Sequence, residues 1–375
     1  MTDKNKIIEV KDVSVQFQVR KRVLTAIRDI SIDLYEGEVL AIVGESGSGK
    51  SVFTKTFTGM LEENGKISAG SIMYHGQDLT QIHSNKEWSK IRGGKIATIF
   101  QDPMTSLNPV VTIGKQIVEV IEKHQKIKGA KAKEIAIDLM NKVGIPDAEK
   151  RFNDYPFEYS GGMRQRIVIA IALACKPEIL ICDEPTTALD VTIQAQILSL
   201  IRSLQKEYEF TTIFITHDLG VVANIADKVA VMYAGEVVEY GTVDDIFFDP
   251  KHPYTWSLLS SLPQLGQRGA ELFSISGTPP SLFKEIEGDA FAPRNPYSLK
   301  IDFVKAPPKV QVNEVHWAKT WLLDERAPKI EKPAIIQNLH EKMELMIRSH
   351  AHEFVEAPQI VEGNGASSKS REVSR

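Results

Sequence analysis

The sequence predicts an α/β fold with a parallel sheet, because apolar runs of strand length alternate with longer helical patterns. Four such runs occupy residues 39–44, 178–183, 212–218 and 229–233. Their hydrophobicity is continuous, which is typical of parallel strands covered on both faces. Residues 113–142 carry Ile, Val, Glu and Lys at helical spacing and predict a helical segment that ends at a Gly-Ile-Pro sequence. Strands that alternate with helices favour the α/β class.

Changes in composition along the chain predict further units around this core. The N-terminal sequences VSVQF and ISIDL alternate apolar and polar residues, which suits an antiparallel β subdomain with one face in water. We expect the main domain to span residues 1–250, with an α-helical subdomain at about 105–172. Frequent prolines then predict a small second domain at 251–330. The stretch 331–375 is expected to be a helical or disordered tail.

Composition and charge exclude several classes of function. A formal net charge of −4 over 375 residues provides no basic field, so we expect no nucleic-acid partner. The two cysteines, Cys175 and Cys182, lie in apolar runs and indicate buried side chains, not a disulfide framework or a zinc site. The longest apolar run, Ile167–Cys175, is far shorter than the ~20 residues of a spanning helix, and the N-terminus lacks the apolar stretch of a secretory signal. We therefore expect a cytoplasmic protein that needs a partner for any membrane work.

A phosphate-binding loop follows the first apolar run and opens a helical segment. It matches G-x-x-x-x-G-K-[ST] with Gly44, Glu45, Ser46, Gly47, Ser48, Gly49, Lys50 and Ser51. The glycines let backbone N–H groups wrap around phosphates at a helix N-terminus. Lys50 is expected to contact the β- and γ-phosphates, and Ser51 to bind Mg²⁺. The strand–loop–helix context predicts a P-loop NTPase with a RecA-like core, a class that includes kinases, GTPases, helicases and transport ATPases.

Four further segments narrow this class. Gln101 ends the apolar run IATIF, Ser-Gly-Gly opens an apolar helix at Ser160, Asp183-Glu184 ends a predicted strand, and His217 ends another. Taken singly, each is more often a cap or a solvated surface group than a catalytic residue. Their order after the phosphate loop resembles the ATP-binding-cassette (ABC) family, over roughly residues 5–250. A kinase or helicase of the P-loop class would leave the Ser-Gly-Gly segment unexplained.

The resemblance implies a role for each of these positions. Gln101 is similar to the family glutamine that reaches Mg²⁺ and the attacking water. Asp183 is similar to the acid that holds the Mg²⁺ water, and Glu184 to the general base of ATP hydrolysis. His217 resembles the histidine that contacts the γ-phosphate, and Asp190 the aspartate that couples two sites across a dimer. A carboxylate at the end of a buried strand is also well placed to orient water.

Two further nucleotide contacts come from the same resemblance. Ser160, Gly161 and Gly162 are expected to cap the γ-phosphate held by an opposing subunit, which implies a head-to-tail dimer with two sandwiched ATP molecules. The residues that flank this segment depart from the common LSGGQ sequence, but its Ser-Gly-Gly core is intact. The family also stacks an aromatic ring on adenine, and Phe17 is the candidate.

Two stretches, at residues 101–109 and 245–263, look like the oligopeptide/dipeptide and nickel permease branch. The resemblance implies an ATPase at the cytoplasmic face of the cell membrane that powers the uptake of oligopeptides or dipeptides. Its implied partners are a second, related ABC ATPase, two transmembrane permease subunits and an extracellular peptide-binding protein. A nickel importer and a soluble ABC ATPase without transport function are the alternatives. The soluble translation type has two cassettes in one chain and the DNA-repair type has a long coiled coil, neither of which occurs in this sequence.

ATP and Mg²⁺ are the expected cofactors, and no iron–sulfur cluster is expected. The C-terminal domain of this permease branch often carries four cysteines that hold a cluster. Alignment with that pattern places the four positions at Asp289, Asn295, Asp302 and Thr320, none of which is cysteine. Cluster iron needs thiolate ligands, with histidine the usual exception. A hard cation on Asp289 and Asp302 is the less favoured alternative.

Overall fold

Within residues 5–187, 189–262 and 275–337, which the computed structural model describes, the strands form two β-sheets. The strands are β1 Lys6–Val19, β2 Arg22–Tyr35, β3 Val39–Val43, β4 Gly65–Tyr74, β5 Gln77–Asp78, β6 Ile96–Ile99, β7 Ile179–Asp183, β8 Thr211–Ile215, β9 Lys228–Tyr233, β10 Glu236–Thr242, β11 Lys309–Gln311 and β12 Trp317–Lys319. The smaller sheet has the order β2-β1-β4-β5 and the larger one the order β11-β12-β10-β9-β3-β8-β7-β6.

Helices connect the strands of both sheets. They are α1 Lys50–Thr56, α2 Asn85–Ile91, α3 Pro103–Ser106, α4 Ile113–Gln125, α5 Ala130–Lys142, α6 Ala148–Arg151, α7 Gly161–Leu173, α8 Val191–Tyr208, α9 Leu219–Ile225, α10 Val243–Phe248, α11 Pro253–Ser260 and α12 Ala334–Gln337. In the ranges that the structure describes, no helix is both long enough and apolar enough to cross a lipid bilayer.

The larger sheet has the parallel core that the apolar runs predict. Strands β6, β7, β8, β3 and β9 pair in parallel, in that order. Every residue of β3 and of β8 is buried, because helices and the smaller sheet cover both faces. Strands β9 and β10 pair antiparallel and form a hairpin at the end of this parallel core.

The smaller sheet is antiparallel, as the alternating N-terminal pattern predicts. Strand β1 pairs antiparallel with β2 on one side and with β4 on the other. Val13, Val15 and Ile27 are fully buried on its inner face. They belong to one hydrophobic cluster with Leu40 of β3, so the two sheets share a core and hold their positions relative to each other.

A cluster of helices, α3 to α7, lies between β6 and β7 in the chain. The helical pattern of residues 113–142 forms two helices, which begin and end at the predicted limits and are separated by a short loop. The chain leaves the right-handed helical region at Lys126 (φ 58°) and Gly129 (φ 63°), and α4 and α5 then pack against each other. The fold-back lets Ile117 and Ala136 both become fully buried in one cluster, which a straight helix could not achieve.

The C-terminal segment, residues 275–337, packs on the main domain. Strand β12 pairs antiparallel with β10, and β11 pairs with β12, so the segment extends the larger sheet. Phe291 is fully buried in a cluster that also contains Val231 of the parallel core. The predicted domain limits stay predictions, and of the predicted tail only residues 331–337 lie within the described ranges.

A buried hydrogen-bonded pair of side chains holds the edge of this extension. Glu239 of β10 and His316, next to β12, are both almost fully buried, and the His316 ring nitrogen lies 2.8 Å from the Glu239 carboxylate. The backbone N–H groups of Lys251 and His252 donate to the same carboxylate, at 2.6 and 3.1 Å. A buried carboxylate is costly unless it is hydrogen-bonded. These contacts therefore hold β10, the residues before α11 and the residue before β12 together at the Glu239 carboxylate.

Phe291 should be a principal contributor to the stability of this docking. Its ring contacts those of Tyr233 and Tyr254, with ring centres 5.3 and 5.2 Å apart. Phe291→Ala is expected to lower the free energy of unfolding by about 3–5 kcal/mol, because it leaves a cavity in a fully buried cluster. Urea denaturation followed by tryptophan fluorescence measures the change. Phe303→Ala, at a ring that is 54% exposed, is the matched control and should change stability by less than about 0.5 kcal/mol.

Candidate functional site

The phosphate loop connects β3 to α1, as the motif predicts. Three of its glycines adopt backbone angles that other residues rarely adopt, with φ values of 150° at Gly44, 78° at Gly47 and 104° at Gly49. At Gly44 a Cβ atom would lie 2.1 Å from the carbonyl oxygen of Met232. The loop can therefore follow its course against β9 only with glycine at that position.

Lys50 bridges the loop from inside. Its ammonium donates to the carbonyl oxygens of Gly44 and Glu45, at 2.8 and 2.9 Å, and the residue is only 6% exposed. Burial lowers the pKa of the Lys50 ammonium, while the carboxylates of Glu184, Asp183 and Glu45 act in the opposite direction. A buried cation surrounded by carbonyl oxygens is arranged to attract an anion such as a phosphate.

Ser51 and Asp183 provide hard oxygen donors next to this cation. The Ser51 hydroxyl donates to the Asp183 carboxylate at 2.9 Å, although the residues are 132 positions apart. Burial raises the pKa of Asp183, with a further contribution from the charge of Glu184, while the Ser51 hydrogen bond and Lys50 lower it. Two adjacent carboxylates with a hydroxyl fit Mg²⁺, which prefers such oxygens and would offset the repulsion between the acids.

Glu184 lies at the centre of a group of polar side chains. Its carboxylate accepts hydrogen bonds from the Gln101 amide at 3.1 Å and the Thr187 hydroxyl at 3.0 Å, and the His217 ring lies 3.6 Å away. Its backbone is in the left-handed region, with φ 48°, and its N–H donates to the Ile215 carbonyl oxygen at 3.0 Å. This conformation costs on the order of 1–3 kcal/mol, and the contacts with neighbouring strands hold it in place.

The loop, Gln101 and Glu184 border a cleft of about 610 Å³. Phe17 lines the cleft on the side of the smaller sheet and is 8% exposed, with its ring packed against Gly65. Its predicted stacking on adenine stays a prediction. Sequence reasoning missed Leu282 of the C-terminal segment, which also lines the cleft. No motif marks this leucine, because only the docking of that segment brings it to the site.

The Ser-Gly-Gly segment and Asp190 lie at two neighbouring helix N-termini. Ser160 caps α7 by accepting from the Met163 N–H at 3.3 Å, and Asp190 caps α8 by accepting from the Ile193 N–H at 3.0 Å. Gly162 packs so tightly on the Ile193 side chain that a Cβ atom would approach it to 2.8 Å. Of the described residues that line the cleft, none belongs to the Ser-Gly-Gly segment. Ser160 and Gly161 are instead exposed to solvent.

The four positions aligned with the cysteine pattern form local structural contacts. All four are buried, and each side chain accepts a hydrogen bond from a backbone N–H group two or three residues away, in turns around Asp289, Asn295, Asp302 and Thr320. Burial raises the pKa of Asp289 to about 7. Among the described residues there is no cluster of three or more histidine, cysteine, aspartate or glutamate side chains placed to hold a metal ion. The expected absence of an iron–sulfur cluster stays a prediction.

Known protein families match both parts of the chain. The family model described as "ABC transporter" matches residues 27–187, and the one described as "Oligopeptide/dipeptide transporter, C-terminal region" matches residues 238–301. The oligopeptide transport ATP-binding protein AmiE of Streptococcus pneumoniae is 70% identical over 91% of this chain and 96% of its own length. The oligopeptide transport ATP-binding protein OppD of Bacillus subtilis is 54% identical over 90% of this chain and 95% of its own length.

A solved structure shares the fold of the main domain. The ATP-binding cassette MJ0796, in a dimeric post-hydrolysis state with ADP and Pi, superposes with a TM-score of 0.56 at 26% identity. The match covers 63% of this chain and 98% of the cassette. Together these comparisons confirm the family and the fold class that the motif order predicts.

The geometry at Gly44 yields a direct test of the loop. Gly44→Ala should abolish nucleotide binding, because the added methyl group cannot avoid the Met232 carbonyl oxygen without moving the loop. Gly47→Ala is the matched control, since its φ is also positive but no atom lies within 4 Å of the added Cβ. Gly47→Ala should destabilise the loop only by the backbone strain of about 1–2 kcal/mol. Equilibrium binding of a fluorescent ATP analogue measures both, and equal affinities of the two variants would contradict the steric argument.

Proposed function

The chain belongs to the ABC transporter ATPases of the oligopeptide and dipeptide transport branch, and we propose that it hydrolyses ATP to drive peptide uptake through partner membrane subunits. The observation that carries this proposal is the convergence of buried Lys50, Ser51 and Glu184 on one cleft, with Asp183 hydrogen-bonded to Ser51 behind it. Phosphoryl transfer depends on positioning and charge neutralisation, which this arrangement supplies. The relatives are oligopeptide transport ATP-binding proteins, which favours a peptide cargo over nickel and transport over a soluble role.

Each cleft residue has a distinct task in this proposal. Lys50 and the loop N–H groups bind the β- and γ-phosphates. Ser51, Asp183 and Gln101 would hold Mg²⁺, which would supply neutralisation of the phosphate charge. The Glu184 carboxylate orients the attacking water and accepts its proton, and the Gln101 amide holds that carboxylate at the cleft. His217, next to Glu184, contacts the γ-phosphate.

Two copies of such a cassette complete the nucleotide sites in a head-to-tail dimer. The exposure of Ser160 and Gly161, at a helix N-terminus outside the cleft of their own chain, supports a contact with the γ-phosphate of a partner. Asp190, whose helix start packs on the Ser-Gly-Gly segment, links the two sites across the interface. The solved dimer of a related cassette supports the same assembly. The partner ATPase is a related paralogue.

The remaining partners are two transmembrane permease subunits and an extracellular peptide-binding protein. The chain acts at the cytoplasmic face of the cell membrane. Exposed apolar side chains support a docking surface for the permeases in the helical cluster, where Met104, Val110 and Phe157 are 61%, 78% and 70% exposed. Apolar side chains exposed to this degree in one region are typical of protein–protein contacts.

Replacement of the general base provides the main test of function. Glu184→Gln should keep ATP binding but nearly abolish ATP hydrolysis and peptide uptake, because the amide cannot accept a proton from water. The measurement compares phosphate release and labelled-peptide uptake in membrane vesicles that carry the assembled transporter. Glu209→Gln is the control, because Glu209 also has a positive φ (55°) but lies at the exposed end of α8. Hydrolysis by Glu184→Gln at the parental rate would exclude Glu184 as the base.

The dimer is tested by a bulky charge on the Ser-Gly-Gly segment. Ser160→Arg should lower ATP hydrolysis by the assembled transporter at least about tenfold, yet leave the ATP affinity of the isolated subunit unchanged. Ser84→Arg is the matched control, because Ser84 is also an exposed helix cap, which accepts from the Glu87 N–H at 3.2 Å. Weaker ATP binding by the isolated Ser160→Arg subunit would argue against a contact in the partner's site.

A further inference from the structure

A residue of the C-terminal segment reaches the phosphate loop. Arg294 ends a short 3₁₀ turn, Ala292–Arg294, and its guanidinium donates to both carboxylate oxygens of Glu45, at 2.6 and 2.9 Å. The two residues are 249 positions apart, and the Arg294 side chain is 5% exposed. Two-pronged contacts of this kind are both strong and directional, because the planar guanidinium matches the carboxylate.

The Arg294 guanidinium also donates hydrogen bonds to groups other than Glu45. It donates to the Tyr233 hydroxyl at 3.1 Å and to the carbonyl oxygens of Ile275 and Ser276 at 3.3 and 2.9 Å. The hydrogen bonds to Glu45 raise the pKa of Arg294, so its charge is present at every physiological pH. An arginine that is fixed in this way loses little further freedom when it holds the loop.

Glu45 forms hydrogen bonds through its backbone as well as through its side chain. Its N–H donates to the Tyr254 hydroxyl at 2.8 Å, and its carbonyl oxygen accepts from the Lys50 ammonium at 2.9 Å. Tyr254 is fully buried, with its ring centre 4.5 Å from that of Tyr233. The loop residue that follows Gly44 is thus fixed by two groups from outside the motif, both beyond residue 250.

The negative charge of Glu45 is compatible with a phosphate site because Arg294 pairs with it. Its carboxylate lies in the loop that receives the phosphates, where an unpaired negative charge would repel a polyphosphate. The same C-terminal segment also lines the cleft through Leu282, whose carbonyl oxygen accepts from the Thr25 N–H at 3.1 Å. The segment therefore touches the nucleotide site at two separate places.

We propose that Arg294 is a positioning residue of the ATP site, which acts through Glu45 to hold the start of the phosphate loop and to cancel its negative charge. This inference rests on the proposed ATPase function. It makes the C-terminal segment a working part of the nucleotide site and predicts that loosening of the segment weakens ATP binding. Because Arg294 does not touch the reacting atoms, its loss should raise KM for ATP more than it lowers kcat.

The first experiment measures ATP affinity in the full chain. Arg294→Gln should raise the Kd for Mg-ATP about tenfold or more, as expected for the loss of charged hydrogen bonds to a partly buried carboxylate. Arg326→Gln is the matched control, because Arg326 pairs in the same two-pronged way with Asp324, at 2.8 Å for both contacts, but on the exposed surface. It should leave the Kd unchanged. Thermal unfolding of the nucleotide-free proteins verifies that each variant is folded at the assay temperature.

A second pair of variants separates positioning from general stability. In a Glu45→Gln background the carboxylate is gone, so the added Arg294→Gln change should alter the Kd by less than about twofold if Arg294 acts through Glu45. Arg294→Lys keeps the positive charge but cannot form the two-pronged contact. Its Kd for Mg-ATP should therefore lie between those of the parental chain and of Arg294→Gln. Parental affinity of Arg294→Gln, or the same loss of affinity in both backgrounds, would overturn the proposal. Failure of the parental chain to bind ATP would instead overturn the proposed function.

Discussion

The parallel pairing of β3, β8, β7 and β6 is the constraint on which the candidate site depends. Parallel strands end at the same edge of a sheet, so the residues that follow each strand meet there. Lys50 follows β3 through the loop, Glu184 follows β7, His217 follows β8 and Gln101 follows β6. The site exists because four distant segments of sequence end side by side, and the burial of both sheet faces keeps their register.

Electrostatics then determine what this edge can bind. Three carboxylates, those of Glu45, Asp183 and Glu184, act on the one buried ammonium of Lys50. The protein offsets this excess of negative charge in two ways. Arg294 neutralises Glu45 within the chain, while Asp183 and Glu184 remain available to a divalent cation and to water. In the proposed function, this division separates the group that shapes the loop from the groups assigned to hydrolysis.

The C-terminal segment connects the edge of the sheet to the phosphate loop. Strand β12 extends the sheet beyond β10, and the buried Glu239–His316 pair anchors that edge. Phe291 fills the cluster behind Tyr233 and Tyr254, the two tyrosines that contact Arg294 and the Glu45 backbone. Packing in this region is therefore linked to the position of the phosphate loop, and a cavity at Phe291 should disturb the loop.

The sequence by itself determined the features that depend on local patterns. The continuous apolar runs indicated the parallel strands, the glycine spacing indicated the loop, and the order of Gln101, Glu184 and His217 indicated the family. Tertiary structure alone decided the break at Lys126, where burial of two helix faces against each other outweighs a continuous helical pattern. It also decided the contacts of Glu45 with Arg294, because no local preference relates residues 249 positions apart until the C-terminal segment packs against the sheet. Short-range periodicity encodes strands and loops, whereas an ion pair across the chain depends on the whole fold.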